Sequence, residues 1–155
     1  MLDKSKIYSS PLFLVYNQIF NHIKTSENII EPLILDVTDE YKDNDYINAR
    51  FKLDILTIEI TYQLCLDTFE SLTFNQMYAL LGHEFGHYHY KHTTSNFLIE
   101  SQADKYCIRI LSNLKIPCKS LYELHLRRYK LKLLNNKGIS DDFYNRLQQA
   151  KRFAK

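Results

Sequence analysis

The segment Leu81-Gly82-His83-Glu84-Phe85-Gly86-His87 sets two histidines four residues apart, with a glutamate between them, inside an apolar stretch. On a helix, residues at that spacing share one face. His83 and His87 can therefore offer two imidazole nitrogens to one divalent ion, and zinc accepts such nitrogens at about 2.0–2.1 Å. Glu84 lies one step round the helix from His83. From there its carboxylate can reach a water on the ion without filling a coordination position. The pattern H-E-x-x-H also occurs by chance on solvated helices, so three further features decide its meaning.

The first is a third donor, since a catalytic zinc takes three protein ligands and keeps one position open. Downstream runs Glu100-Ser101-Gln102-Ala103-Asp104. If one helix ends near His92 and the next begins near Asn96, His87 and Glu100 each lie about 6–8 Å from the turn at 1.5 Å per residue. In an antiparallel helical pair those levels face each other. The second is Asp104, four residues after Glu100 on the same helical face. A carboxylate there can accept the N–H of a ligating histidine, fixing its tautomer, and Ala103 leaves little bulk where the helices approach. The third is the intact Glu84, which a closed four-ligand structural site does not need.

H-E-x-x-H followed by E-x-x-A-D resembles the signature of the gluzincin metallopeptidases. More narrowly it resembles the CAAX-prenyl-protease and HtpX-like family of family-48 peptidases. Asn48-Ala49 ahead of a strand, Lys91-His92 after the motif, and an Arg-bearing C-terminal helix from Asp142 to Lys151 with Arg146 support the likeness. It covers Tyr46 to Tyr106, with a weaker C-terminal part. The resemblance implies a zincin-like fold, a Zn2+ cofactor held by His83, His87 and Glu100, and a protein or peptide substrate. Three departures stand: many members carry membrane spans and this chain has none, the interval between His87 and Glu100 is short, and no His-Pro precedes the Arg helix. The short interval is also similar to the ImmA/IrrE-type peptidases, which cleave repressors of mobile elements.

The implied chemistry is metal-assisted peptide hydrolysis with Glu84 as general base. An oxyanion donor is needed as well. His125 is the first candidate, and Tyr122, Tyr129 and Arg146 are its rivals. Two other readings compete: a non-catalytic zinc-binding module that captures a peptide, and a helical domain with accidental histidine spacing. His89 and His92 read as solvent-facing or partner-contacting, and His22 as incidental.

Around these residues the periodicity changes along the chain. Pro11 to Lys24 reads as a helix, with Leu12, Val15, Tyr16, Ile19, Phe20 and Ile23 at spacings of three and four. Glu31 to Val37 reads as a short strand and Asp36 to Asp45 as an acidic loop. Asp45 to Lys52 and Asp54 to Asp67 read as a hairpin, in which Leu56, Ile58, Ile60 and Tyr62 face one way and Thr57, Glu59 and Thr61 the other. Its second arm, from Leu53 to Tyr62, is the expected sheet edge on which a substrate would lie extended. Ser71 or Thr73 caps a helix running to about His92. Helices follow over about Asn96 to Leu114, Ser120 to Asn135, and Ser140 onward. The class is α+β: a small β-sheet on the H-E-x-x-H helix, with a bundle of further helices, in one domain over 1–155.

Composition bounds the rest. With 155 residues and 45% apolar content the chain can bury a core. A net charge of +2 gives no pull towards nucleic acid or membrane. Arg127, Arg128, Lys130 and Lys132 read as a solvated helix face. Cys65, Cys107 and Cys118 form no C-x-x-C pair, which argues against a disulfide framework. The first twenty residues lack a secretory pattern and no stretch is apolar enough to span a bilayer, so the expected location is the cytoplasm.

Overall fold

The computed structural model describes residues 2–40, 46–67, 70–135 and 137–154. Two helices come first, α1 (Lys4–Tyr8) and α2 (Pro11–Ser26). Strands β1 (Ile34–Thr38), β2 (Ala49–Lys52) and β3 (Thr57–Thr61) follow, the last running into a 3-10 turn at Tyr62–Cys65. Helices α3 (Phe74–Tyr90), α4 (Phe97–Asn113), α5 (Lys119–Leu134) and α6 (Asp141–Phe153) complete the order. The mixed α and β architecture agrees with the expected zincin-like class. Among the described residues no helix is long and apolar enough to cross a membrane.

Helix starts are written in capping residues. Ser10 accepts from the Phe13 N–H with Pro11 as the first helical residue, and Asn96 accepts from Ile99. Thr73 and Gln76 form a reciprocal capping box at the start of α3. Each satisfies donors that a helix end leaves orphaned. Helix α1, capped by Asp3, was not expected from the apolar pattern, which a five-residue helix is too short to display.

The sheet corrects one expectation. β2 and β3 form the predicted antiparallel pair, but β1 joins β3 in parallel, with Ile34 opposite Thr57 and Thr38 opposite Thr61. The order β1-β3-β2 makes β3 the central strand. The sheet edge beside the site is therefore β2, not the arm from Leu53 to Tyr62. With neighbours on both sides every residue of β3 is buried. Glu59 is consequently not on a solvated face and pairs with Arg50 at 2.8 Å and Lys52 at 3.5 Å. The acidic loop also shortens, because Asp36 to Thr38 complete β1. Asp39 and Glu40 follow the strand without regular structure, while residues 41–45, the last of them also the first residue of the expected first arm, lie outside the described residues.

One face of the sheet and α2 close over α3. Tyr16, Phe20 and Ile23 of α2 meet Leu81 and Phe85 of α3 in a core shared with Ile58 and Ile60, and the Phe20 and Phe85 rings stand 5.3 Å apart. A different side of α3, bearing Gly82 and Gly86, receives α4. A methyl built on Gly86 would stand 2.7 Å from the Ala103 carbonyl oxygen and 2.8 Å from its Cα. Only glycine lets the backbones come that near. That close approach sets how far the residues of α4 stand from those of α3.

Candidate metal centre

His83 and His87 project from the buried side of α3, and Glu100 comes from the first turns of α4. His83 Nε2 and His87 Nε2 are 3.0 Å apart. Glu100 sets Oε1 at 3.1 Å from His83 Nε2 and Oε2 at 3.2 Å from His87 Nε2. His83, Glu84 and His87 have ligand-type atoms within 4.8 Å of one another, yet Glu84 Oε1 is 4.0 Å from His83 Nε2. By distance Glu100 is the better third donor, and Glu84 stands beside the cluster.

Behind His83, Asp104 accepts from Nδ1 at 2.7 Å. A carboxylate partner there puts the ring proton on Nδ1 and aims the Nε2 lone pair at the cluster. Asp104 is 1% exposed and is held from two more sides. His125 Nε2 donates to Oδ1 at 3.2 Å, while Arg146 of α6 donates to Oδ2 through Nε at 3.1 Å and to Oδ1 through a terminal nitrogen at 3.2 Å. Arg146 also reaches Glu100 at 3.5 Å.

The electrostatics follow from burial and these partners. Burial disfavours a charged His83, but the Asp104 carboxylate, with Glu100 and Glu84, outweighs it and raises the ring to about 9. A field that holds a proton there favours any cation at the same point. Burial raises the Glu84 carboxyl, and the two imidazoles pull against that rise. Burial also works to raise Asp104, yet His125, Arg146 and His83 hold it well below the usual range. His125 is driven down to about 4 by its own burial, against the pull of Asp104.

The donor set fits a metal on its own chemistry. Two imidazole lone pairs and one carboxylate converge within hydrogen-bond distance, an arrangement that calls for a positive charge between them. Glu84 Oε2 is buried with no hydrogen-bond partner among the described residues, and such a group calls for an explanation. Two cavities open beside it. One of about 350 Å³ is lined by Asn48 to Phe51 of the β2 edge together with Glu84, His87 and Glu100. A smaller one, lined by His83, Glu84, His125, Arg128 and Arg146 among others, lies on the α5 and α6 side.

Of the four oxyanion candidates, His125 and Arg146 line the smaller cavity but are engaged by Asp104. Tyr122 packs against the hydrophobic core, and neither it nor Tyr129 lines either cavity. His92 is half-buried and lines the larger cavity, and its Nδ1 stands 2.9 Å from His87 Nδ1. His89 stacks on Tyr106 at 4.3 Å, and His22 meets the Tyr78 hydroxyl at 2.7 Å. Two of the four basic residues from Arg127 to Lys132 on α5 also depart from the solvated face expected of them. Arg127 donates to the Glu70 and Ser71 carbonyls, tying α5 to the segment that leads into α3, and Arg128 lines the smaller cavity.

The family model of peptidase family M48 matches residues 37–116, just over half of the chain, and the chain belongs to that family. The matched segment runs from β1 through α4 and contains His83, Glu84, His87, Glu100 and Asp104. His125 and Arg146 lie beyond it. No curated protein and no solved structure matches the chain.

Proposed function

We propose that the chain is a zinc-dependent endopeptidase in which His83, His87 and Glu100 hold the ion and Glu84 is the general base. The observation that carries this reading is the convergence of the two Nε2 atoms and the Glu100 carboxylate, with an unpartnered Glu84 oxygen beside them. Zinc, when bound, supplies Lewis acidity, making water acidic near neutral pH and polarising a carbonyl. Glu84 accepts a proton from the attacking water and returns it to the leaving amine. Its burial suits the task, because a raised carboxyl exchanges protons nearer neutrality.

His125 and Arg146 act through Asp104. Both grip that carboxylate, which in turn fixes the His83 ring, so they are positioning residues in this reading and do not meet the substrate oxygen. The substrate is a protein or peptide laid along β2. An edge strand offers unpaired main-chain groups to an added strand, and Asn48 to Phe51 line the larger cavity leading to Glu84.

The test compares wild type with Glu84→Gln for zinc content and cleavage of a peptide library, with a chelator control. The expected result is equal zinc and a loss of turnover of about 10²–10⁴-fold in the variant. Full turnover by Glu84→Gln would remove that residue from the mechanism.

A further inference from the structure

The two imidazoles of the cluster are supported in different ways. His83 rests on a carboxylate, which can only accept, so its proton order is fixed by Asp104 alone. His87 rests on another imidazole. Its Nδ1 stands 2.9 Å from His92 Nδ1, and a neutral imidazole either donates or accepts at that atom according to its tautomer. What decides is the far side of His92, where Nε2 lies 3.0 Å from the Gln102 amide oxygen. That oxygen accepts, so His92 carries its hydrogen on Nε2 and presents a lone pair at Nδ1. His87 must then donate from Nδ1, which leaves its Nε2 lone pair facing His83 Nε2 and Glu100.

The backbone delivers His92 to this place. Lys91 adopts the left-handed conformation, with φ 55 and ψ 43. The His92 N–H bonds to the His87 carbonyl at 3.0 Å and the Lys91 N–H to that of Tyr88 at 3.1 Å. These two bonds are the Schellman ending of a helix, which folds the chain back over its last turn. His92 thus returns beside His87, although it lies five positions further along the chain. Tyr90 stacks on the His92 ring at 5.4 Å with 18° between planes, fixing its tilt.

We infer that His92 and Gln102 are positioning residues that order the protons of His87, holding its hydrogen on Nδ1 so that Nε2 is a ready metal donor. The inference rests on the zinc reading above. His92 also lines the larger cavity and Gln102 does not, so the role is read on zinc binding and the imidazole protons and not on turnover.

The experiment uses zinc-loaded wild type, His92→Leu, His92→Asn and Gln102→Leu. Zinc affinity is read by competition with a chromophoric chelator. Cobalt-substituted protein is examined by proton NMR for the exchangeable imidazole N–H signals of His83 and His87. We expect His92→Leu and Gln102→Leu to bind zinc about 10- to 100-fold more weakly, the usual effect of losing a partner of a ligating histidine. The His87 N–H signal of His92→Leu should broaden through solvent exchange while that of His83 persists. In His92→Asn the amide oxygen falls near the place of Nδ1, so affinity and signal should return. If His92→Leu does not fold, Gln102→Leu carries the same two readouts. Zinc affinity and a sheltered His87 N–H unchanged in these variants would overturn the inference, even with a lowered melting temperature. Failure of wild type itself to take up zinc would overturn the zinc reading and this inference with it.

Discussion

Replacing Gly86 with alanine adds one methyl group where α3 and α4 are closest. The new carbon would stand 2.7 Å from the Ala103 carbonyl oxygen and 2.8 Å from its Cα, whereas ordinary contact begins at 3.4 Å. Both atoms belong to the backbone, so no rotamer change relieves the clash. The helices must part by about 0.7 Å, the shortfall in that contact. Overpacking of this kind costs about 1–3 kcal/mol, while alanine for glycine in a helix returns about 1 kcal/mol. Net destabilisation should thus be about 0–2 kcal/mol, a fall of up to about 8 °C in Tm for a chain of this size. The site should suffer more than the fold. Glu100 and Asp104 ride on α4, so their 3.1 Å and 2.7 Å contacts with His83 would lengthen with the helix. A displacement near 1 Å can cost about 10²-fold in rate. Gly82→Ala is the control, because its methyl is tight against the Cys107 side-chain sulfur at 3.0 Å while the Cys107 Cα and Cβ stay at an ordinary 3.8 Å. That variant should stay within about 1 kcal/mol of wild type, with helix propensity in its favour. Zinc affinity by chelator competition, peptide turnover and thermal melting would be measured on all three proteins. Gly86→Ala with wild-type zinc affinity and turnover would refute the view that this contact sets the position of Glu100.

Two further outcomes concern the stability of the fold. Lys91 holds a left-handed conformation that costs a residue with a Cβ about 1–2 kcal/mol. Lys91→Gly should therefore raise the denaturant midpoint, despite losing the exposed contact with Glu31, and a lower midpoint would count against this. Asp36 receives hydrogen bonds from Tyr8 and Lys4, which tie α1 to β1. Burial works to raise its carboxyl, but those bonds, with one from the Val37 N–H, hold it below the usual range. A depressed carboxylate stabilises the fold above its unfolded value of about 3.9, and that support is lost as the pH falls through the lower folded value. Protection of the amides of residues 4–8, taken relative to the intrinsic exchange rate at each pH, should thus fall in acid in wild type and be low at every pH in Asp36→Asn. A variant whose protection still changed with pH as in wild type would disprove the role of Asp36.

Much of this was readable before any coordinates, for local reasons. Thr73, Asn96 and Ser140 are caps whose side chains bond within three residues, so the starts of α3, α4 and α6 fell within a residue or two of expectation. The meeting of His83, His87, Glu100 and Asp104 followed from helical spacing and a short turn. What escaped depended on contacts between distant parts of the chain. Nothing in Ile34–Thr38 announces a parallel partner more than twenty residues on, so β3 looked like an edge when it is central. His92 looked solvent-facing because its place depends on a left-handed lysine, where glycine would have been the recognisable signal. Arg127 and Arg128 looked like surface charges because a local charge run does not reveal that α5 lies against α3.

The grip of α6 on the carboxylates has a consequence for biosynthesis. Translation delivers the imidazole pair of α3 first, Glu100 and Asp104 within the next two dozen residues, and the Arg146 guanidinium more than forty residues after Asp104. A nascent chain therefore exposes the donors well before it can neutralise the aspartate behind them. On the zinc reading, the donors are aligned in full only once the chain through Arg146 has folded back onto Asp104.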